Sequence, residues 1–115
     1  MGSIRKTESI RIAQLNTQRS SMVLVEVRKL IQEMKLDIIC IQEPYSKSGE
    51  VPHMPISASV ITGGSIPMAA TIVTNKNLQV LKISQFCSEH TVCLEITLGR
   101  RSFILVNSYF QFGEE

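Results

Sequence analysis

Residues Asp37-Ile38-Ile39-Cys40-Ile41-Gln42 form a continuous β-branched run. Such runs occur in strands covered on both faces, the situation of a parallel sheet. An amphipathic segment precedes this one. Val23, Val27, Leu30, Ile31 and Met34 recur at helical spacing, and Glu26, Arg28, Lys29, Gln32, Glu33 and Lys35 supply a wet face. Ser20 or Ser21 is a competent N-cap, so the spacing predicts a helix of about four turns ending near Lys35. Before it, Ser9 to Asn16 reads as a strand, buried along most of its length. Strand, helix and strand make a βαβ unit with two parallel strands.

Beyond Gln42 the pattern changes. Residues Glu43 to Ile56 are punctuated by Pro44, Gly49, Pro52 and Pro55 and read as irregular. Strand-like segments follow at Ser59–Thr62, Ala69–Thr74, Leu78–Ile83, Thr91–Leu98 and Phe103–Ser108. The breaks at Gly63-Gly64, Asn75-Lys76-Asn77 and Gly99-Arg100-Arg101 are short enough to imply antiparallel hairpins. The expectation is α/β: one mixed sheet of six or seven strands carrying one helix. A single helix covers only one sheet face, so Val92, Leu94, Ile96, Ile104 and Val106 are expected to form an uncovered apolar patch.

The composition narrows the class. The 115 residues allow one modest domain, and 43% hydrophobic with 19% charged residues is a globular balance. A net charge of +2 is too weak to argue by itself for a nucleic-acid or membrane partner. No window is apolar enough to span a membrane. Three cysteines without a CxxC pair exclude a disulfide framework and a zinc knuckle and fit a reduced, intracellular setting.

In open sheets with a βαβ unit, ligands gather at the carboxyl ends of the parallel strands. Those ends are Asn16 and Gln42-Glu43. A carboxylate beside neutral oxygen donors, such as the Asn16 amide oxygen, suits a hard divalent cation such as Mg²⁺. Two other readings of the same pattern stay open: polar strand ends that merely turn the chain, or a ribose-binding carboxylate of a dinucleotide fold. The second is opposed by Asn16-Thr17-Gln18-Arg19-Ser20, which has no glycine to admit a pyrophosphate. Arg19 can fork onto a phosphate or be a solvated loop charge. Tyr45 can stack on a base or pack over its loop. His53 and His90 lack a partner at ligand spacing, and Lys47, Arg100 and Arg101 read as solvated.

Ile12-Ala13-Gln14-Leu15-Asn16, a helix, then Leu36 to Tyr45 with its Gln-Glu-Pro-Tyr ending resemble the start of the endonuclease/exonuclease/phosphatase superfamily. More narrowly, the chain is similar to the apurinic-endonuclease-like domain of non-LTR retrotransposons of the LINE, R1/TRAS-like kind. Residues 103–110, ending in Asn107-Ser108-Tyr109-Phe110, resemble a later strand of that family. The resemblance implies the N-terminal half of a four-layered α/β sandwich, with residues 1–8 a disordered segment and 9–115 a partial domain. It implies that Glu43 binds Mg²⁺ or Mn²⁺, that Asn16 helps position the metal and the scissile phosphate, and that Tyr109 lies close to that phosphate. Asn16, Glu43 and Tyr109 are thereby the expected catalytic residues, with Arg19 and Tyr45 on the nucleic acid. The implied activity is nicking of target DNA to prime reverse transcription. The expected partners are DNA, a C-terminal half and a reverse transcriptase in one polyprotein, with no membrane and a nuclear place of action. The family's later Asp-x-Asn and Ser-Asp-His groups have no match here, so the expected chain is inactive alone. The alternatives are a non-catalytic remnant that associates through an exposed sheet face, or a phosphoesterase with another substrate.

Overall fold

The computed structural model describes residues 9–110; the expected disordered segment 1–8 lies outside the described residues. The element order is β1 (Ile12–Asn16), α1 (Ser21–Met34), β2 (Ile38–Gln42), β3 (Ser59–Thr62), β4 (Ala69–Val73), β5 (Gln79–Lys82), a short 3₁₀ turn at Ser84–Phe86, β6 (Thr91–Leu98) and β7 (Arg101–Ser108).

Helix α1 starts where a side chain can satisfy its first orphan amides: Ser20 Oγ accepts from the Val23 N–H at 3.2 Å. It ends at Lys35, whose left-handed backbone returns its N–H to the Ile31 carbonyl. The buried stripe is Leu24, Val27 and Ile31, with Leu30 half-buried. Val23 and Met34, expected on that stripe, are exposed. The i, i+3, i+7 spacing that runs through Leu24 wins because it aims at the apolar face of β2 and β4.

The expected βαβ unit forms. Strands β1 and β2 are parallel neighbours, with Asn16 opposite Gln42. β1, however, is an edge strand: Ile12, Gln14 and Asn16 are exposed, and only Ala13 and Leu15 are half-buried against the helix side.

The single mixed sheet does not form. There are two sheets, one in the order β1-β2-β4-β3 and one in the order β5-β6-β7. β3–β4 and β6–β7 are the hairpins expected, but β4 and β5 do not pair. β4 already has β2 on one edge and β3 on the other, leaving no ladder for β5. The Asn75 side chain instead accepts from the Asn77 N–H at 2.8 Å, and the chain crosses to the second layer with Leu78 buried between the sheets.

Stacking the sheets explains the apolar β2. Ile39 and Ile41 join Leu24, Val27, Ile31, Ala70 and Ile72 under the helix. Ile38 and Cys40 join Ala69, Val73, Val92, Leu94 and Ile96 between the sheets. Val92, Leu94 and Ile96 are therefore fully buried, contrary to the expected open patch. What stays open is the other face of the second sheet, where Leu81, Ile104 and Val106 are 61%, 54% and 56% exposed. The layers are helix, sheet and sheet.

At the end of the stack holding the β1 and β2 termini, the β3–β4 turn lies against the start of β6. A Cβ on Gly63 would collide with the Ser88 carbonyl, so only glycine permits that approach. Among the described residues, no helix is long and apolar enough to cross a membrane, and Cys40, Cys87 and Cys93 are free thiols.

Candidate functional site

The carboxyl ends of β1 and β2 meet in a set of strained and polar residues. After β1, Thr17 is fully buried. Its N–H donates to the Gln42 carbonyl and its hydroxyl to the Glu43 carbonyl, both at 2.9 Å. Gln18, Arg19 and Glu43 all take positive φ, at 53°, 58° and 53°. Three non-glycine residues in that region at one edge cost energy that the surrounding hydrogen bonds must hold down. One such bond runs from the Arg19 N–H to the Glu43 carbonyl at 2.7 Å, and another from the Glu43 N–H to the Met68 carbonyl at 2.9 Å.

This backbone brings Asn16 and Glu43 together. Asn16 Oδ1 accepts the Gln18 N–H at 2.9 Å, which fixes the amide, and Nδ2 donates to Glu43 Oε2 at 3.4 Å. It is thus the amide nitrogen of Asn16, not its oxygen, that faces the carboxylate. Glu43 is half-buried and makes no ion pair with Lys or Arg among the described residues. Among the described residues, the one metal-ligating side chain at this edge is the Glu43 carboxylate; the Asn16 amide, expected from the sequence among the metal's ligands, presents an N–H that orients the carboxylate and cannot ligate a cation. No group of three His, Cys, Asp or Glu side chains that could hold a metal occurs among the described residues. A lone carboxylate fits a hard ion that keeps most of its waters, as Mg²⁺ does, and does not fit zinc.

Behind the edge an amide chain runs from exposed Gln14 to buried Gln42 and Asn107. Gln14 Nε2 donates to Gln42 Oε1 at 3.3 Å, and Gln42 Nε2 donates to Asn107 Oδ1 at 2.6 Å. Asn107 Nδ2 reaches the Ala70 carbonyl at 2.9 Å and Thr71 Oγ1 at 3.1 Å. This fastens the end of β7 to β2 and β4, so the segment carrying Tyr109 leaves the second sheet at the same end of the stack as Glu43. Tyr109 donates its N–H to the His90 carbonyl at 2.8 Å, and its ring centroid is 6.0 Å from that of His90.

Arg19 and Tyr45 line one cleft of about 210 Å³ with Pro44, Ile66, Pro67 and Met68. The Arg19 guanidinium donates to Met68 Sδ at 3.3 Å. Tyr45 is half-buried and also packs on the helix-side core.

His53 is exposed and pairs with Ser21 Oγ at 3.0 Å, away from any second histidine. Burial pushes the Cys40 thiol above its ordinary pKa, a hydrogen bond with Thr71 pulling the other way, which makes it an inert core thiol. Thr17, Gln18, Asn107 and the Met68 wall were missed from the sequence. Each acts through partners distant in the chain or through its main chain, and no local periodicity marks them.

No family model and no curated protein matches the chain. Among solved structures it is similar to the endonuclease domain of TRAS1, a telomere-specific non-LTR retrotransposon, with a TM-score of 0.80 at 23% identity. The match covers 92% of this chain and 48% of that one, so the chain spans about half the length of the structure it matches. The layers and connections described above, one helix on a mixed sheet backed by a second sheet, are those of a retrotransposon endonuclease domain, as the sequence resemblance implied.

Proposed function

We propose that this chain carries the first half of a Mg²⁺-dependent DNA endonuclease domain of a non-LTR retrotransposon. The observation that supports it is the convergence of the Asn16 amide and the Glu43 carboxylate at the carboxyl edge of the parallel pair. When bound at Glu43, Mg²⁺ or Mn²⁺ would supply positive charge to a phosphodiester and to its leaving oxygen.

The chain's own groups have separate tasks. Glu43 holds the ion through the carboxylate that Asn16 orients. Asn16 keeps a second amide N–H for a phosphoryl oxygen. Arg19, with no carboxylate on its guanidinium among the described residues, offers a fork to a neighbouring phosphate. Tyr109 stands at the same end for the phosphate under attack. The in-line water and the general acid are assigned in this reading to the remainder of the domain, where the family resemblance puts its Asp-x-Asn and Ser-Asp-His groups. DNA, that remainder and a reverse transcriptase of the same polyprotein are the partners this reading requires, and the nucleus is its place of action.

The test has two parts. Mn²⁺ titration followed by electron paramagnetic resonance should show one site in the wild-type chain that Glu43→Gln removes. Plasmid nicking with Mg²⁺ or Mn²⁺ should be absent for the 115 residues alone and appear when the rest of the domain is joined to them, with Glu43→Gln abolishing it. Equal Mn²⁺ binding by wild type and variant would overturn the assignment of Glu43.

A further inference from the structure

Two strand edges are open on one flank of the stack. β1 is the last strand of the first sheet and β7 the last of the second, and among the described residues neither has a further strand beside it. Hydrogen bonds show which groups face out. The Arg11 carbonyl and the Thr17 N–H turn to β2, so the main-chain groups of Ile12, Gln14 and Asn16 turn away from it. The Tyr109 N–H turns to the His90 carbonyl, so those of Ser102, Ile104, Val106 and Ser108 turn away from β6. Neither 12–16 nor 102–108 carries a charge, a proline or a bulge, the devices that keep edges from pairing.

The two edges are staggered. β7 lies under β2 and β4, and β6 under β4 and β3, so β1 overhangs the second sheet. Its underside is open: Ile12 is 45% exposed, and Gln14 and Asn16 are exposed. β1 and β7 run in the same sense, because Asn107 near the end of β7 is bonded to Gln42 at the end of β2. These features are self-complementary. A twofold axis between the sheets and along the strands exchanges the two layers. The β1 edge of one copy then meets the β7 edge of the other, and the reverse joint forms at the same time. The overhang of each copy fills the step of the other, Ile12 meets Ile12 of the second copy, and each β7 end comes beside the other copy's Asn16. A twofold normal to the sheets would join β1 to β1 and hold the β7 edges apart by the overhang.

We infer that two copies of this chain associate through reciprocal parallel pairing of β1 with β7. The inference rests on the sheet edges and not on the endonuclease reading. With no charge on either edge, two copies bring no like charges together along the joint. The side chains of Leu81, Ile104 and Val106 point to the outer face, so this joint is separate from association through that face.

The experiment is sedimentation equilibrium of the whole 115-residue chain over a concentration series, which should show a monomer–dimer equilibrium. Val106→Pro and Gln14→Pro each remove one outward N–H and spare the internal ladders. Each should raise the dimer dissociation constant at least about tenfold, because the symmetry counts the loss twice. Mixed together, the two variants keep one intact joint, β1 of the first with β7 of the second, and should form a heterodimer tighter than either homodimer. Ile12→Lys, at an exposed position, should weaken the dimer by setting two like charges face to face, while the monomer keeps its circular dichroism spectrum. A monomer at every concentration overturns the proposal, and binding of the separately supplied remainder of the domain to these edges would then name it as their occupant. A dimer that only Gln14→Pro disrupts is a β1–β1 joint, one that only Val106→Pro disrupts is a β7–β7 joint, and either overturns it. So does a dimer that Ile12→Lys leaves unchanged.

Discussion

Asn16 holds Glu43 with its amide nitrogen, 3.4 Å from Oε2, because its amide oxygen is already engaged by the Gln18 N–H. The pair spans two strands that are parallel neighbours, and the carboxylate is presented at their common edge. Glu43→Gln should abolish Mn²⁺ binding yet change unfolding free energy by less than about 1 kcal/mol, as expected of a group making one long hydrogen bond. Asn16→Ala should weaken Mn²⁺ binding less and destabilise more, since it also frees the Gln18 N–H. Metal titration and urea unfolding of both variants check this.

Asn107 is the buried fastening between the two sheets. Asn107→Leu strands the buried Gln42 amide, at about 1–3 kcal/mol, and removes the side-chain hydrogen bonds to the Ala70 carbonyl, which stays in the β2–β4 ladder, and to Thr71 Oγ1. A loss of roughly 2–4 kcal/mol is expected in denaturant unfolding. Adding Gln42→Leu should cost less than its effect alone, because the orphaned amide is then gone. Strict additivity would show that the two side chains do not share the bond.

The helix face is tested by a neighbouring pair. Leu24 is fully buried and Val23 is 38% exposed. Leu24→Ala should cost about 2–5 kcal/mol and Val23→Ala well under 1 kcal/mol. Comparable losses would mean that the helix docks by the stripe first read from the sequence.

Thiol chemistry should separate the cysteines. Cys40 is buried, its thiol pushed up by desolvation. A raised folded value means that its contribution to stability is complete below the unfolded thiol's pKa of about 8.5 and is lost as pH rises through the higher folded value. Native chain at neutral pH should label fastest at Cys87, the half-buried one, with Cys40 and Cys93 reacting only on unfolding. Mass spectrometry of alkylated peptides reads the order, and urea melts across pH 8 to 10 read the stability loss.

The outer face of the second sheet should govern self-association. Leu81, Ile104 and Val106 share it, with Glu95 between Leu81 and Ile104. Ile104→Lys should raise solubility and reduce hydrophobic-dye binding without lowering the melting temperature, since the side chain is more than half exposed. A destabilised variant would mean that the face is packed in solution.

Local period and short connections suffice for part of this fold. The βαβ unit, the strands at 59–62 and 91–98 and the placement of Asn16 and Glu43 at two strand ends follow from residues close in the chain. Tertiary structure decided the rest. Whether Val92, Leu94 and Ile96 face water or a second sheet depends on which edges of β4 are taken, and no period within β6 records that. The Gln42–Asn107 bond joins residues 65 apart, and the Arg19–Met68 contact residues 49 apart. The amide orientation of Asn16 was likewise invisible, because a backbone N–H two residues on, in a left-handed turn, sets it. A hydrophobic pattern states which side chains leave water, but not which surface they meet.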